Sequence, residues 1–160
     1  MSGRLSRPKQ AVIDSPIGRL LVRIDGGFVN KIVETDLALT SEADYGSLIA
    51  VISEIRRYFT GELTEFTFPV LYEGTEFQKK VWNACAGISY GATMTYGDIA
   101  SMIGSQGAAR AVGQAIGRNQ ILLAVPCHRV VASGGRLGGF RLGAGAKRIL
   151  LGLENEKSLY

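Results

Sequence analysis

The apolar residues of this chain change period near Thr75. Before it they alternate in short runs, and after it they recur at helical spacing. One element type cannot serve both, because strands turn successive side chains to opposite faces while helices repeat about every 3.6 residues. The pattern predicts an α+β chain in two lobes. A basic tail over 1–10 reads as flexible, an N-terminal α/β lobe as 11–73, and a helical C-terminal domain as 74–160. In the first lobe "AVID", "RLLVRI" and "FVNKIV" predict a small antiparallel sheet, with turns at Ser15–Gly18 and Asp25–Gly27. Ser41 to Phe59 predicts a helix with Ile49, Ile52 and Ile55 inward, and "EFTFPV" one more strand, ended by Pro69.

Apolar residues at 46% can bury a core, and charged residues at 20% are too few for a disordered chain. No apolar run approaches the ~20 residues of a membrane helix, and the first ten residues lack the apolar stretch of a secretory signal. A cytoplasmic protein without membrane contact is expected. Two cysteines and one histidine supply neither a disulfide framework nor a four-ligand metal site, so no metal or cofactor is expected. Charge is unevenly placed. Residues 1–74 hold 8 basic and 10 acidic side chains, and residues 75–160 hold 10 and 4. Between Asp98 and Glu154 there is no acid, against Arg110, Arg118, Arg129, Arg136, Arg141, Lys147 and Arg148. Such a stretch suits a polyanionic partner, or simply a solvated basic face.

Thr75 can cap a helix whose apolar face is Phe77, Val81, Trp82 and Cys85, which makes Cys85 a core residue. Thr95, with Asp98 three residues on, has the form of a capping box for a second helix. After the turn Gly104–Gly107, "AARAVGQAIG" predicts a third. Two short helices about a glycine turn read as a helix-turn-helix. The third helix is nearly smooth apart from Arg110, so it can lie close against another helix or a DNA groove. "ILLAV" is a buried segment leading to Pro126-Cys127-His128. Ala144 to Leu153 predicts the closing helix, with Ile149, Leu150 and Leu153 inward and Glu154 at its C-terminal end, where a carboxylate is disfavoured.

The chain's one histidine, His128, thus stands beside Cys127. A thiol attacks as thiolate, which needs a nearby base or cation. Sequence neighbours often point apart, so a bridging water could carry the proton between the two. The imidazole then needs an orienting carboxylate, and the acid-free stretch leaves Glu154 or Asp98. "SGGRLGGF" follows as a cationic, glycine-rich wall.

With these residues in view, the chain resembles the O6-alkylguanine-DNA alkyltransferases. "PCHRV" resembles their active-site signature, "SPIGRLLV" their first strands, and "FQKKVWNACAGISYGATMTYGDIA" the opening of their C-terminal domain. "AARAVGQAIGRN" resembles their recognition helix and asparagine hinge, and "AKRILLGLE" their last helix. The resemblance implies a ribonuclease H-like N-terminal lobe and a winged-helix-like C-terminal lobe. It implies a monomer that binds duplex DNA through the minor groove and flips out O6-alkylguanine, with O4-alkylthymine as a second candidate substrate. Cys127 would take the alkyl group in one irreversible step, with His128 as base through a water, Glu154 orienting it and Asn119 as hinge. Tyr96 would press on the phosphate backbone and help protonate the leaving guanine, and Arg110 would fill the space left by the flipped base. Gly97, Ser105 and Ala109 would lie on the DNA side. Val130 and the loop with Ser133, Leu137, Gly138, Gly139, Phe140 and Arg141 would line the base pocket, with Ile116 opposite. Ser89 and Gln120 stand where many members have proline, Phe140 where tyrosine is frequent, and Arg141 and Leu142 where smaller residues are usual. These departures bear on pocket size. Two other readings compete: a DNA-binding regulator with an idle Cys127, and a Cys-His hydrolase that turns over.

Overall fold

In the computed structural model of the chain, which describes residues 9–158, the alternating segment forms one antiparallel sheet in the order β1 (Lys9–Ile13), β2 (Leu20–Asp25), β3 (Phe28–Glu34). Of the expected tail, residues 1–8 lie outside those described, and Lys9 and Gln10 already pair with Ile24 and Arg23. The register between β2 and β3 slips after Arg23, whose partner is Lys31, while Ile24 pairs with Val29. The extra residue, Asn30, is a bulge that lets Val29 and Ile32 both reach the core. They join Leu20 and Val22 of the sheet and Leu48, Ile52, Ile55 and Tyr58 of the helical segment. Each such side chain contributes roughly 1.5–3 kcal/mol on full burial.

The helix expected over 41–59 is shorter. Two single 3₁₀ turns, Glu42–Asp44 and Gly46–Leu48, precede α1 (Ile49–Phe59). Gly46 at φ +54° interrupts the helical path, since that conformation suits glycine and not a helix. The face is also rotated from expectation. Val51, Ile52, Ile55 and Tyr58 are buried, whereas Ile49 is 62% exposed. "EFTFPV" makes no strand. It contributes one isolated bridge, Val29 to Val70, because Pro69 lacks an N–H and Phe66 stacks instead on Tyr58 and Phe68.

The chain divides near residue 71 into two compact units. The second is helical: α2 (Glu76–Ala86), β4 (Met94–Thr95), α3 (Tyr96–Met102), α4 (Ala109–Gly117), β5 (Val130–Val131) and α5 (Gly143–Ser158). Both expected caps form. Thr75 and Gln78 make a reciprocal capping box at α2, and Thr95 and Asp98 make one at α3. Val81, Trp82 and Cys85 of α2 pack with Ile99 and Ala100 of α3 and Val112, Ala115 and Ile116 of α4. Phe77 is only half-buried. The small residues of α4 let it lie so close to α2 that the Trp82 indole N–H donates to the Ala115 carbonyl at 2.9 Å. The opposite face of α4, with Arg110 and Gln114, is exposed. α5 runs past Glu154 by a turn, so that carboxylate is inside the helix and not at its end. Leu150 is buried as expected, Leu153 half-buried, and Ile149 exposed. No described helix is long and apolar enough to cross a membrane.

Candidate active site

Asn119 begins the construction. It follows the last turn of α4, and its amide closes the loop that leads to Cys127. Oδ1 accepts from the Ile121 N–H at 2.9 Å, and Nδ2 donates to the Val125 carbonyl at 3.0 Å. A side-chain amide offers a donor and an acceptor side by side in one plane. Inside this clasp Ile121, Leu122, Leu123 and Val125 are buried, and Leu123 takes a left-handed φ of 70°. A leucine in that region is strained and held there by its surroundings. The Cys127 N–H then bonds the Val125 carbonyl at 2.7 Å, opening a 3₁₀ turn over Cys127–Arg129. The Asn119 side chain also favours the ionised form of the Cys127 sulfur.

Behind the thiol lies a buried polar cluster. His128 Nε2 is 2.5 Å from Glu154 Oε2, and Arg129 donates through Nε to Glu154 Oε1 at 2.7 Å and through Nη2 to Oε2 at 3.2 Å. Arg129 Nη1 caps the Ile88 carbonyl at 2.7 Å, and its guanidinium lies over the Tyr90 ring. The Gly91 N–H also donates to Glu154 Oε1, at 3.3 Å. Asp98, the other candidate to orient His128, is exposed and bonds the Thr95 N–H within its own cap. Glu154 is therefore the carboxylate on the imidazole.

Burial pushes the His128 imidazole below its ordinary value, and the Glu154 carboxylate only partly opposes this. Arg129 already balances the carboxylate's charge, so the ring stays neutral. A neutral ring this close to a carboxylate carries its proton on Nε2, which makes Nδ1 the basic nitrogen. The Cys127 thiol is pushed up by burial, against the influence of the neighbouring Asn119 side chain and the positive charges of Lys147 and Arg141. It rests as a thiol and needs a base to react. Cys85 is pushed up to about 12, burial again being the main cause, and stays inert.

A cavity of about 280 Å³ opens over Cys127, walled by Tyr96, Ile116, Gly139, Phe140 and Arg141 with Gly113 and Gly117. The Tyr96 hydroxyl donates to the Gly139 carbonyl at 3.3 Å, and burial raises its pKa. Gly138, at φ +76°, is needed here: a Cβ would sit 2.9 Å from that hydroxyl. The expected set thus assembles in part. Val130, Leu137 and Gly138 do not line the cavity. Val130 pairs with Met94 between β4 and β5 and faces the core, Leu137 is half-buried, and Gly138 packs beneath Tyr96. Ser133 and Gly97 are exposed, and Ser105 and Ala109 half-buried. Arg110 and Ala109 border a shallow depression shared with Tyr96, Gly113 and Gly139.

Two residues of the site escaped the sequence reading. Arg129 was grouped with the basic stretch, yet it is the counter-charge of Glu154. Lys147 was grouped there too, and it is fully buried, donating to the Val130 carbonyl at 2.6 Å and the Gly139 carbonyl at 3.1 Å. It fastens the glycine loop to β5 and adds positive potential at Cys127. Its place two turns before Glu154 on one helix was the available signal. Among the described residues no three His, Cys, Asp or Glu side chains gather where they could hold a metal.

Comparison with known proteins bears on this site directly. The family model for the DNA-binding domain of 6-O-methylguanine DNA methyltransferase matches residues 76–156. A methylated-DNA–protein-cysteine methyltransferase of Mycobacterium tuberculosis is 41% identical over 151 residues, covering 91% of this chain and 92% of the relative. One from Methanosarcina acetivorans is 42% identical over 153 residues, covering 90% and 96%. The crystal structure of Mycobacterium tuberculosis OGT in complex with DNA superposes with a TM-score of 0.85 at 42% identity, covering 92% of this chain and 93% of that one.

Proposed function

The chain belongs to the methylated-DNA–protein-cysteine methyltransferase family, and we propose that it repairs DNA by moving an alkyl group from guanine O6 to its own Cys127. The observation that carries this is the Cys127 thiol in the wall of a cavity with the His128–Glu154 pair buried behind it. His128 Nδ1 draws the thiol proton through a water, and the thiolate attacks the alkyl carbon. The sulfur–carbon bond forms as the carbon–O6 bond breaks, and the guanine takes up a proton, with Tyr96 placed to supply it. The imidazolium formed in passing is stabilised by Glu154. Regenerating the cysteine would require thiolate to leave an unactivated carbon, so the thioether persists and the protein acts once and is consumed.

Duplex DNA is the partner, engaged from the minor groove by the exposed face of α4. The target base leaves the stack because the reacting atom is inaccessible within it. Arg110 takes its place. The units then correspond to a ribonuclease H-like lobe, supported by the antiparallel sheet, and a winged-helix-like lobe, supported by the α3–α4 pair. The protein acts as a monomer, since every residue of the reaction comes from one chain.

Intact mass after mixing with DNA containing O6-methylguanine tests the reaction. One methyl group should be gained, stopping at one equivalent, and peptide mapping should place it on Cys127. No gain, or a methyl on Cys85, excludes the proposal. The regulator and hydrolase readings both predict an unchanged mass.

Arg110 is tested by substrate form. Arg110→Ala should lose repair of duplex DNA at least about tenfold more than reaction with the free alkylguanine base, because flipping costs a few kcal/mol. Equal losses on both substrates would make Arg110 merely structural.

A further inference from the structure

Among the described residues that wall the cavity over Cys127, one carries a formal charge. Tyr96, Gly113, Ile116, Gly117, Gly139 and Phe140 are uncharged, and Arg141 is the exception. Arg141 is held in place rather than left to wander: its Nη1 donates to the Asn119 carbonyl at 3.1 Å, at the residue whose amide clasps the loop that carries Cys127. The cation therefore stands beside the point where the alkyl carbon meets the thiolate. We propose that Arg141 is a specificity residue, and that it favours O6-adducts whose alkyl group bears a carboxylate over neutral adducts of the same size. This rests on the alkyl-transfer reading above and names a substrate class for it.

The chemistry explains why a cation matters for such an adduct. Attack on a carboxymethyl carbon brings a thiolate toward a carboxylate, and the two negative charges repel. A guanidinium beside both offsets that repulsion and gives the carboxylate a charge-assisted hydrogen bond. The step balances as for methyl. The sulfur–carbon bond forms, the carbon–O6 bond breaks with its electron pair on the guanine, one proton leaves the thiol and one is taken up by the guanine. The cysteine becomes S-carboxymethylcysteine. The same guanidinium already favours the thiolate form of Cys127, so its charge reaches the sulfur.

The test compares single-turnover rates on duplexes carrying O6-carboxymethylguanine and its neutral near-isostere O6-carbamoylmethylguanine, with protein in saturating excess. The charged-to-neutral rate ratio should fall about fivefold in Arg141→Ala, the upper end for a partly exposed ion pair. Arg141→Lys, which keeps the charge, should restore most of it. A ratio unchanged by Arg141→Ala overturns the proposal. If that variant does not fold, the wild-type ratio decides: it should drop as salt screens the pair, and a salt-independent ratio overturns the proposal equally. Wild-type transfer from O6-methylguanine is measured alongside. Its absence would defeat the alkyl-transfer reading itself, whereas methyl transfer with an unchanged ratio defeats only the role given to Arg141.

Discussion

Glu154→Gln will lower both the melting temperature and the rate of alkyl transfer, and the two losses will separate. The carboxylate faces Arg129 at 2.7 Å with both side chains buried. Removing one partner of a buried ion pair costs about 3–5 kcal/mol, because the other charge remains without compensation. A domain has only about 5–15 kcal/mol in all, so the melting temperature should fall by more than about 10 °C. The rate should fall by about 10²–10⁴, the usual range for loss of general-base assistance. Adding Arg129→Met removes the stranded charge, so the double variant should regain much of the stability and none of the rate. A single variant that melts like wild type, or a double variant that regains the rate, would refute this account of the cluster.

The pH dependence follows from the same two groups. Burial depresses His128, so the unfolded chain takes up a proton there before the native state does. Stability therefore falls as pH drops below the ordinary histidine value. In the proposed reaction the neutral ring is the base, so wild-type transfer should weaken only on that acid side. Burial raises Cys127, and approaching its pKa from below makes thiolate without any base. The Glu154→Gln deficit should accordingly narrow with rising pH while the wild-type rate stays nearly flat.

Local signals carried far in the sequence, and non-local ones did not. The caps at Thr75 and Thr95 were readable because each needs only a partner three residues on. The three strands were readable because alternation and glycine turns are short-range. The apolar faces of α1 and α5 differ from expectation at Ile49 and Ile149, since the rotation of a helix about its axis, set by what it packs against, decides which isoleucine is covered. The active residues came from family resemblance more than from chemistry. Taken alone, the residues left Asp98 open beside Glu154 as a partner for His128, and the three-dimensional approach of α5 chose between them. Arg129 and Lys147 were hidden for a physical reason: a basic side chain in a basic stretch looks solvated until its buried acceptors are known.

Alkylation of Cys127 should loosen the domain and weaken its hold on DNA. In the resting protein the sulfur is buried beside Asn119 and backed by Lys147 and Arg141, which favour its ionised form. A thioether cannot ionise, so these groups lose the charge they favour. The added volume costs about 1–3 kcal/mol where the site is already packed. Methyl can lie in the cavity that the guanine vacates, so its share is small. A benzyl group presses on Phe140 and Ile116 as well. Ile116 belongs to α4, and Asn119 ties the end of that helix to the loop bearing Cys127. Displacement at the sulfur is thereby passed to the helix proposed to meet DNA. Calorimetry on fully alkylated protein should show a lower melting temperature for methyl and a still lower one for benzyl, with DNA affinity falling in the same order. Melting temperatures unchanged or raised for both adducts would show that the cavity absorbs the group and that the sulfur and α4 are not coupled.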